Sequence, residues 1–191
     1  ANQLEMEAYM APKPFADQPG NGCHLHLSAW NPDCTENLFY EEGGLSDFGK
    51  SFVAGLLEHL PGLLALTCSS VNSYRRLQPK AWSSAFVWWG YENREAAVRV
   101  PTVYWGQEQA TTNLEIKCVD SSCNPYLALS GVIAAGLDGV RRNLQPPEPV
   151  DIEPSTFNEQ VGEERHKRLP LTLKDALIEL EKDEVLVNAI G

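Results

Sequence analysis

Hydrophobic residues recur at helical spacing through the middle of the chain. From residue 48 to residue 60 they fall every three or four positions, and Ser46 just before them is a favourable N-terminal cap. Pro61 suits the first turn of a separate short helix that carries the apolar run to residue 68. The pattern predicts two consecutive core helices.

Two further helices are predicted in the second half of the chain. Asn124 and Pro125 supply a cap and a first-turn proline for a long helix that ends near Arg142. Its alanine and glycine content indicates close packing on a sheet. Thr172 and Asp175 form a capping pair for a last, amphipathic helix. The residues on its predicted inward face are Leu173, Ala176, Leu177 and Leu180.

Alternation over residues 23–30 predicts a strand with two histidines on one face. A period of two places His24, His26 and Ser28 together, opposite apolar positions. A histidine pair at this spacing can supply metal ligands or phosphate donors. The alternative is a hydrogen-bonded sheet surface, and no further histidine or carboxylate stands at a metal-site spacing from the pair.

Three more strands are predicted over residues 85–89, 95–100 and 113–119. A glycine-marked turn at Gly90 between the first two favours an antiparallel pair. The polar side chains expected on the same faces of these strands are Glu95, Arg99, Asn113, Glu115 and Lys117. We therefore expect an α+β fold, with an antiparallel sheet backed by the helices that begin near Ser46 and Asn124.

The chain length of 191 residues favours one domain rather than two. Residues 145–154 are rich in proline and predict an exposed connector. Residues 155–191 form a C-terminal segment that is predicted to be helical.

The charge balance narrows the possible partners. With 15 Lys and Arg against 26 Asp and Glu, the chain has a net charge of −11, which argues against nucleic acid and anionic membranes as partners. No apolar run is long enough to span a bilayer and no signal pattern begins the chain, so we expect a cytoplasmic protein. The five cysteines include no CxxC pair and are expected to be reduced.

Basic residues concentrate against this acidic background in residues 72–100. The stretch NSYRRLQPKAWSSAFVWWGYENREAAVRV contains Arg75, Arg76, Lys80, Arg94 and Arg99 among aromatic residues. Arginine binds carboxylates and phosphates because its planar guanidinium donates to two oxygens at once. An anion site is one interpretation. The alternative is two structural ion pairs, one of Arg75 or Arg76 with a distant acid and one of Arg94 with Glu92 or Glu95.

Four motifs in order identify a family resemblance. KPFADQPGNGCHLHLS, NSYRRLQP, ENREAAVRVP and LEIKCVDSSCNPYLALSGVIAAGLDGV together resemble the C-terminal catalytic domain of glutamine synthetases. The resemblance implies an ATP-dependent ligase that joins glutamate to ammonia or another amine through γ-glutamyl phosphate. It also implies Mg²⁺ or Mn²⁺ as cofactor and a homo-oligomer of stacked rings.

The resemblance assigns roles residue by residue. His24 and Glu115 correspond to ligands of the divalent cation. The positions that correspond to the ATP site are His26, Leu27, Ser28, Arg94 and Arg99. Gly20, Arg76 and Lys117 correspond to glutamate contacts. Arg94 is also expected to reach the transferring phosphoryl group and to be catalytic.

Several positions depart from the family pattern. Trp82 stands where the family has a glutamate near the ammonium site, and a tryptophan cannot accept a proton. This resembles the branch that makes γ-glutamyl derivatives of larger amines, with Trp82 contacting the amine. Lys117 replaces an arginine and Pro19 an asparagine.

The remaining metal-binding glutamates of the family lie upstream of this chain, and its usual last helix lies downstream. We therefore expect a fragment, truncated at both ends and inactive when isolated. A second hypothesis is a binding or regulatory protein that retains the fold without the reaction. A third, a metal hydrolase using His24 and His26, lacks a visible third ligand or general base.

Overall fold

A four-stranded sheet carries the polar residues singled out above. The computed structural model describes residues 2–150 and 167–191. Its strands are β1 (Leu25–Leu27), β2 (Tyr40–Glu41), β3 (Gly44–Leu45), β4 (Trp89–Tyr91), β5 (Val98–Val100) and β6 (Leu114–Ile116). Its α-helices are α1 (Asp47–Thr67), α2 (Glu108–Thr111), α3 (Pro125–Arg141), α4 (Leu173–Lys182) and α5 (Glu184–Ile190). The main sheet has the order β1-β6-β5-β4, and β2 pairs with β3 in a hairpin.

The register of the sheet brings its charged residues together. In the antiparallel pair β1–β6, His26 lies opposite Glu115, and in the antiparallel pair β5–β6, Arg99 lies opposite the same glutamate. Directly paired residues share a face of a sheet. The predicted α+β class and the antiparallel pairing of these three strands are confirmed.

The predicted antiparallel pairing of residues 85–89 with residues 95–100 is wrong. β4 and β5 run parallel, and Gly90 lies within β4 opposite Arg99 rather than in a turn. A Cβ at Gly90 would stand 2.4 Å from the carbonyl oxygen of Val150, so glycine is needed there for close backbone approach. Gly90 is therefore explained by close packing against the backbone of Val150 and not by a turn.

The prediction of two helices across Pro61 is also wrong, because α1 continues through it. Proline in a helix interior costs about 3 kcal/mol. Leu56, Leu60, Leu63 and Leu64 on this helix are all essentially buried. Each contributes roughly 1.5–3 kcal/mol by burial, so the four together exceed the cost of the proline.

α3 packs on α1 and not on the sheet, contrary to expectation. A Cβ at Gly139 would lie 2.1 Å from the carbonyl oxygen of Ser51, and one at Gly55 would lie 2.2 Å from that of Ala135. The glycines therefore bring two helix backbones together. The caps at Ser46 and Asn124 are as predicted, with each side chain accepting a backbone N–H.

The C-terminal elements complete the apolar core. Thr172 caps α4 as predicted, and Ala176 and Leu180 are buried, whereas Leu177 is 44% exposed. The N–H of Val150 donates to the carbonyl oxygen of Trp89, so residues 145–150 follow the edge of β4. Residues 151–166, which include the end of the predicted connector, lie outside the described residues. No helix among the described residues has the length and apolarity needed to cross a membrane.

Candidate active site

Glu115 is the centre of a charged cluster on one face of the sheet. Its Oε1 lies 2.8 Å from His24 Nδ1 and 3.6 Å from His26 Nε2. Its Oε2 lies 2.5 Å from Arg99 Nε, as an ion pair without hydrogen-bond alignment. His26 also pairs through Nδ1 with Asn113 Oδ1 at 2.8 Å. Side chains on or directly before β1, β5 and β6 thus meet where the strand pattern placed them.

The charge of Glu115 is held by its neighbours. Burial alone would raise its pKa, but the hydrogen bond with His24 and the positive charges of Arg99 and Lys117 lower that pKa to about 2. Burial lowers the pKa of Lys117, and the charge of Glu115 opposes that shift. The site therefore contains an ionised carboxylate among cationic groups, whose net charge favours an anionic ligand.

Arg76 lies behind the glycine-containing loop that precedes β1. It is 4% exposed and donates through Nη2 to the carbonyl oxygens of Lys117 and Val119, whereas its Nε is buried without a hydrogen-bond partner. A Cβ at Gly20 would lie 2.6 Å from Arg76 Cγ, and one at Gly22 would lie 2.8 Å from His24 Nε2. Only glycine lets this loop approach both side chains.

A strained loop carries Trp82 at the edge of this cluster. Lys80, Trp82 and Ser84 all have positive φ angles, of 59°, 52° and 76°. The buried carboxylate of Glu95 accepts the N–H groups of Lys80 and Trp82 at 3.1 and 3.0 Å. The indole of Trp82 is 57% exposed. Backbone strain of this kind persists only where the surroundings enforce it, and it is concentrated at functional sites.

Glu95 was expected on the strand face with Arg99, but it lies before β5 and holds the Trp82 loop instead. Nothing in the sequence indicated that backbone N–H groups 13 and 15 positions earlier would be its partners.

The other predicted phosphate-site residues are less tightly placed. Arg94 is exposed, and no carboxylate of the described residues forms an ion pair with it, so the alternative interpretation of an ion pair with Glu92 or Glu95 is wrong. Ser28 Oγ accepts the indole N–H of Trp30 at 3.0 Å. Leu27 packs its side chain against the core, which leaves only its backbone for a ligand.

A divalent cation would find part of its ligand set here. His24 and Glu115 converge. The buried Glu115 Oε2 accepts no hydrogen bond, and a cation would supply the missing partner. Within residues 2–150 and 167–191, however, no three His, Cys, Asp or Glu side chains are grouped to hold a metal. Mg²⁺ requires about six ligands in octahedral geometry. The pair fits as a portion of such a site and does not complete one.

Comparison with known proteins settles the family. The family model for the glutamine synthetase catalytic domain matches residues 1–191. The chain belongs to the glutamine synthetase family. It is 41% identical over 189 residues to a glutamine synthetase of Pyrococcus furiosus, covering 96% of this chain and 41% of that protein.

Other members of the glutamine synthetase family are equally similar. The chain is 42% identical over 187 residues to the gamma-glutamylpolyamine synthetase GlnA3 of Streptomyces coelicolor, covering 95% of this chain and 39% of that protein. It superimposes on the structure of a GmaS/ADP complex with a TM-score of 0.85 at 37% identity, covering 100% of this chain and 43% of the other. The chain thus spans about two-fifths of the length of these relatives.

Proposed function

We propose that the whole protein carrying this chain is an ATP-dependent ligase that joins glutamate to an amine through γ-glutamyl phosphate. The observation that carries the proposal is the meeting of Glu115 with His24, Arg99 and Lys117 on one sheet face, in a chain of the glutamine synthetase family. Phosphoryl transfer depends chiefly on fixed positive charge around the phosphate oxygens.

The residues divide between the two anionic substrates. Arg76 and Lys117, with the backbone near Gly20, would hold the glutamate carboxylates. Arg99 and the exposed Arg94, which pairs with no carboxylate of the described residues, would hold the ATP phosphates, together with His26, the backbone of Leu27 and Ser28. The γ-carboxylate then attacks the γ-phosphorus with release of ADP, and the amine displaces phosphate from the acyl carbon.

His24 and Glu115 would hold a divalent cation, Mg²⁺ or Mn²⁺, with further ligands from outside the described residues. When bound, such an ion neutralises charge on the phosphate oxygens. Arg94 would contact the transferring phosphoryl group and would be the catalytic arginine. A cytoplasmic location and assembly into homo-oligomeric rings belong to the same proposal, and sedimentation of the whole protein tests the assembly.

Trp82 favours an amine larger than ammonia. Its exposed indole offers an apolar and cation-attracting surface, but no proton acceptor. A relative of similar identity is a gamma-glutamylpolyamine synthetase, which supports this choice of substrate class.

The test is glutamate-dependent release of ADP from Mg-ATP by the whole protein, with ammonium and a panel of primary amines and diamines. We expect release that depends on one of the larger amines, and a shift toward ammonium in Trp82→Glu. Trp105→Glu, at an indole that is 97% exposed, is the matched control and should leave the preference unchanged. If folded, metal-loaded protein released no ADP with any amine, the proposed ligase activity would be contradicted.

That negative result would favour the second candidate, a binding or regulatory protein with this fold. Two observations motivate it, namely the absence of a proton acceptor at Trp82 and the incomplete metal ligand set among the described residues. Titration of glutamate and ADP by calorimetry would then show binding without turnover.

A further inference from the structure

A cavity of about 320 Å³ lies on the side of the sheet away from the charged cluster. Side chains alternate along β5, so Arg99 faces Glu115 while Val100 faces the opposite side, where it lines the cavity. Tyr40 of the β2–β3 hairpin and Tyr91 at the end of β4 form its other walls. Small-molecule sites commonly have volumes of about 300–1,000 Å³.

The lining of this cavity combines apolar walls with negative charge. Val100, Pro101 and Val103 provide aliphatic surface, and Glu92 and Glu108 provide two carboxylates. No Lys, Arg or His is among the described residues that line it. A ligand that is complementary to these walls has an apolar body and a positive charge.

The carboxylate of Glu108 is fixed in place before any ligand arrives. The N–H of Gly106 donates to its Oε1 at 2.8 Å, and this bond, with the N–H of Glu108 itself, lowers the pKa of the side chain. The carboxylate is therefore charged at neutral pH. The Tyr91 ring is also held, because its hydroxyl lies 3.4 Å from the N–H of Leu45.

We propose that this cavity is a binding site for an organic ammonium ion, whose charge meets Glu92 and Glu108 and whose alkyl chain packs between Tyr40, Tyr91 and Val100. Tyrosine faces attract cations, and an ammonium group held by both a ring and a carboxylate binds more strongly than with either alone. The site is separate from the proposed amine position near Trp82, and the proposal does not depend on the ligase activity.

The test is a calorimetric titration of the whole protein with 1,5-diaminopentane, without ATP or glutamate, beside the uncharged 1,5-pentanediol. We expect the diamine to bind and the diol not to bind. The double variant Glu92→Gln/Glu108→Gln should lower the affinity at least tenfold, since glutamine still accepts the Gly106 N–H but lacks the charge. The control is Glu41→Gln/Glu42→Gln, on the β2–β3 hairpin that carries Tyr40 but outside the cavity lining. It makes the same change in net charge and should bind the diamine normally.

Two results would overturn the proposal. Equal loss in both double variants would mean nonspecific attraction to the acidic surface. Loss in Trp82→Ala with normal binding in Glu92→Gln/Glu108→Gln would place the diamine at the Trp82 loop instead. As a second readout, the methyl resonances of Val100 and Val103 should shift with the diamine, and unchanged resonances would also contradict the site.

Discussion

At the scale of single residues, two buried carboxylates organise the candidate site in different ways. Glu115 gathers His24, Arg99 and Lys117 on the sheet face. Glu95 instead satisfies two backbone N–H groups of a loop with positive φ angles. The first provides charge for a ligand, and the second positions the backbone that carries Trp82.

The role of Glu95 leads to a prediction about the loop. In Glu95→Gln only one side-chain oxygen remains to accept the N–H groups of Lys80 and Trp82. We expect faster amide hydrogen exchange at these two residues and a loss of about 1–3 kcal/mol in the free energy of unfolding. The exposed neighbour Glu92→Gln is the control, and unchanged exchange in Glu95→Gln would show that the carboxylate does not hold the loop.

The contact between Gly20 and Arg76 leads to a second prediction, which rests on the proposed function. A Cβ at Gly20 would lie 2.6 Å from Arg76 Cγ and 2.8 Å from the carbonyl oxygen of Pro12. The new Cβ would meet both the Arg76 side chain and a backbone oxygen, so Gly20→Ala should shift the loop and displace the arginine. We expect the KM for glutamate to rise at least tenfold with little change in the KM for ATP. Equal changes in both constants would indicate a general loss of structure.

At the scale of elements, the contact between α1 and α3 depends on glycines. Replacing a helical glycine by alanine ordinarily stabilises a helix by about 1 kcal/mol. At Gly139 the added Cβ would meet the carbonyl oxygen of Ser51 at 2.1 Å, and backbone cannot yield as a side chain does.

We therefore expect Gly139→Ala to destabilise the protein by about 1–3 kcal/mol, because overpacking outweighs helix propensity. Denaturant unfolding measures the change. Ala134→Gly, at a half-buried position of the same helix, is the control and should lose only about 1 kcal/mol from propensity. A more stable Gly139→Ala variant would mean that the helices separate without cost.

Local signals predicted the ends of these elements better than their partners. Ser46, Asn124 and Thr172 were identifiable as caps because each acts within its own helix. The parallel pairing of β4 with β5 and the contact of α3 with α1 depend on residues distant in sequence. A glycine can mark either a turn or a close approach of two backbones. The sequence alone therefore could not show which of these Gly90 and Gly139 mark.

At the scale of the whole molecule, His59 joins three parts of the helical layer. Its Nδ1 lies 2.7 Å from Asp183 at the junction of α4 and α5, and its Nε2 lies 3.1 Å from Asp138 on α3. Arg142 pairs with Asp138 and with Glu58 of α1. The two partners of His59 are 124 and 79 residues away along the chain, so no local sequence pattern indicates this cluster.

This cluster makes stability depend on pH. Burial opposes ionisation of Asp138, but hydrogen bonds from His59 and Arg142 outweigh it and lower the pKa. The stability from this carboxylate is present above the unfolded pKa of about 3.9 and is lost as pH falls below it through the lower folded pKa. Asp138→Asn should be less stable than the native chain at pH 6, with the difference shrinking as the pH falls below the unfolded pKa of about 3.9. Urea unfolding measures the difference in the free energy of unfolding, with the exposed Asp33→Asn as control. A difference that does not change with pH would contradict the account.

The candidate site was largely predictable because its residues lie in short motifs whose strand alternation determines their face. His24, Arg99 and Glu115 meet on one face, as the two-residue period of the predicted strands implied. The hydrogen bonds of Glu95 and the cavity beside Tyr40 were not predictable, since both arise from loop conformations.

The most direct test of the proposed ligase follows the oxygen atoms of glutamate. The whole protein is supplied with Mg-ATP, the amine that supports ADP release, and glutamate labelled with ¹⁸O in its γ-carboxylate. A γ-glutamyl phosphate intermediate transfers one carboxylate oxygen to phosphorus, so mass spectrometry should find one ¹⁸O in each phosphate released. Phosphate without label, or no ADP release with any amine, would contradict the account.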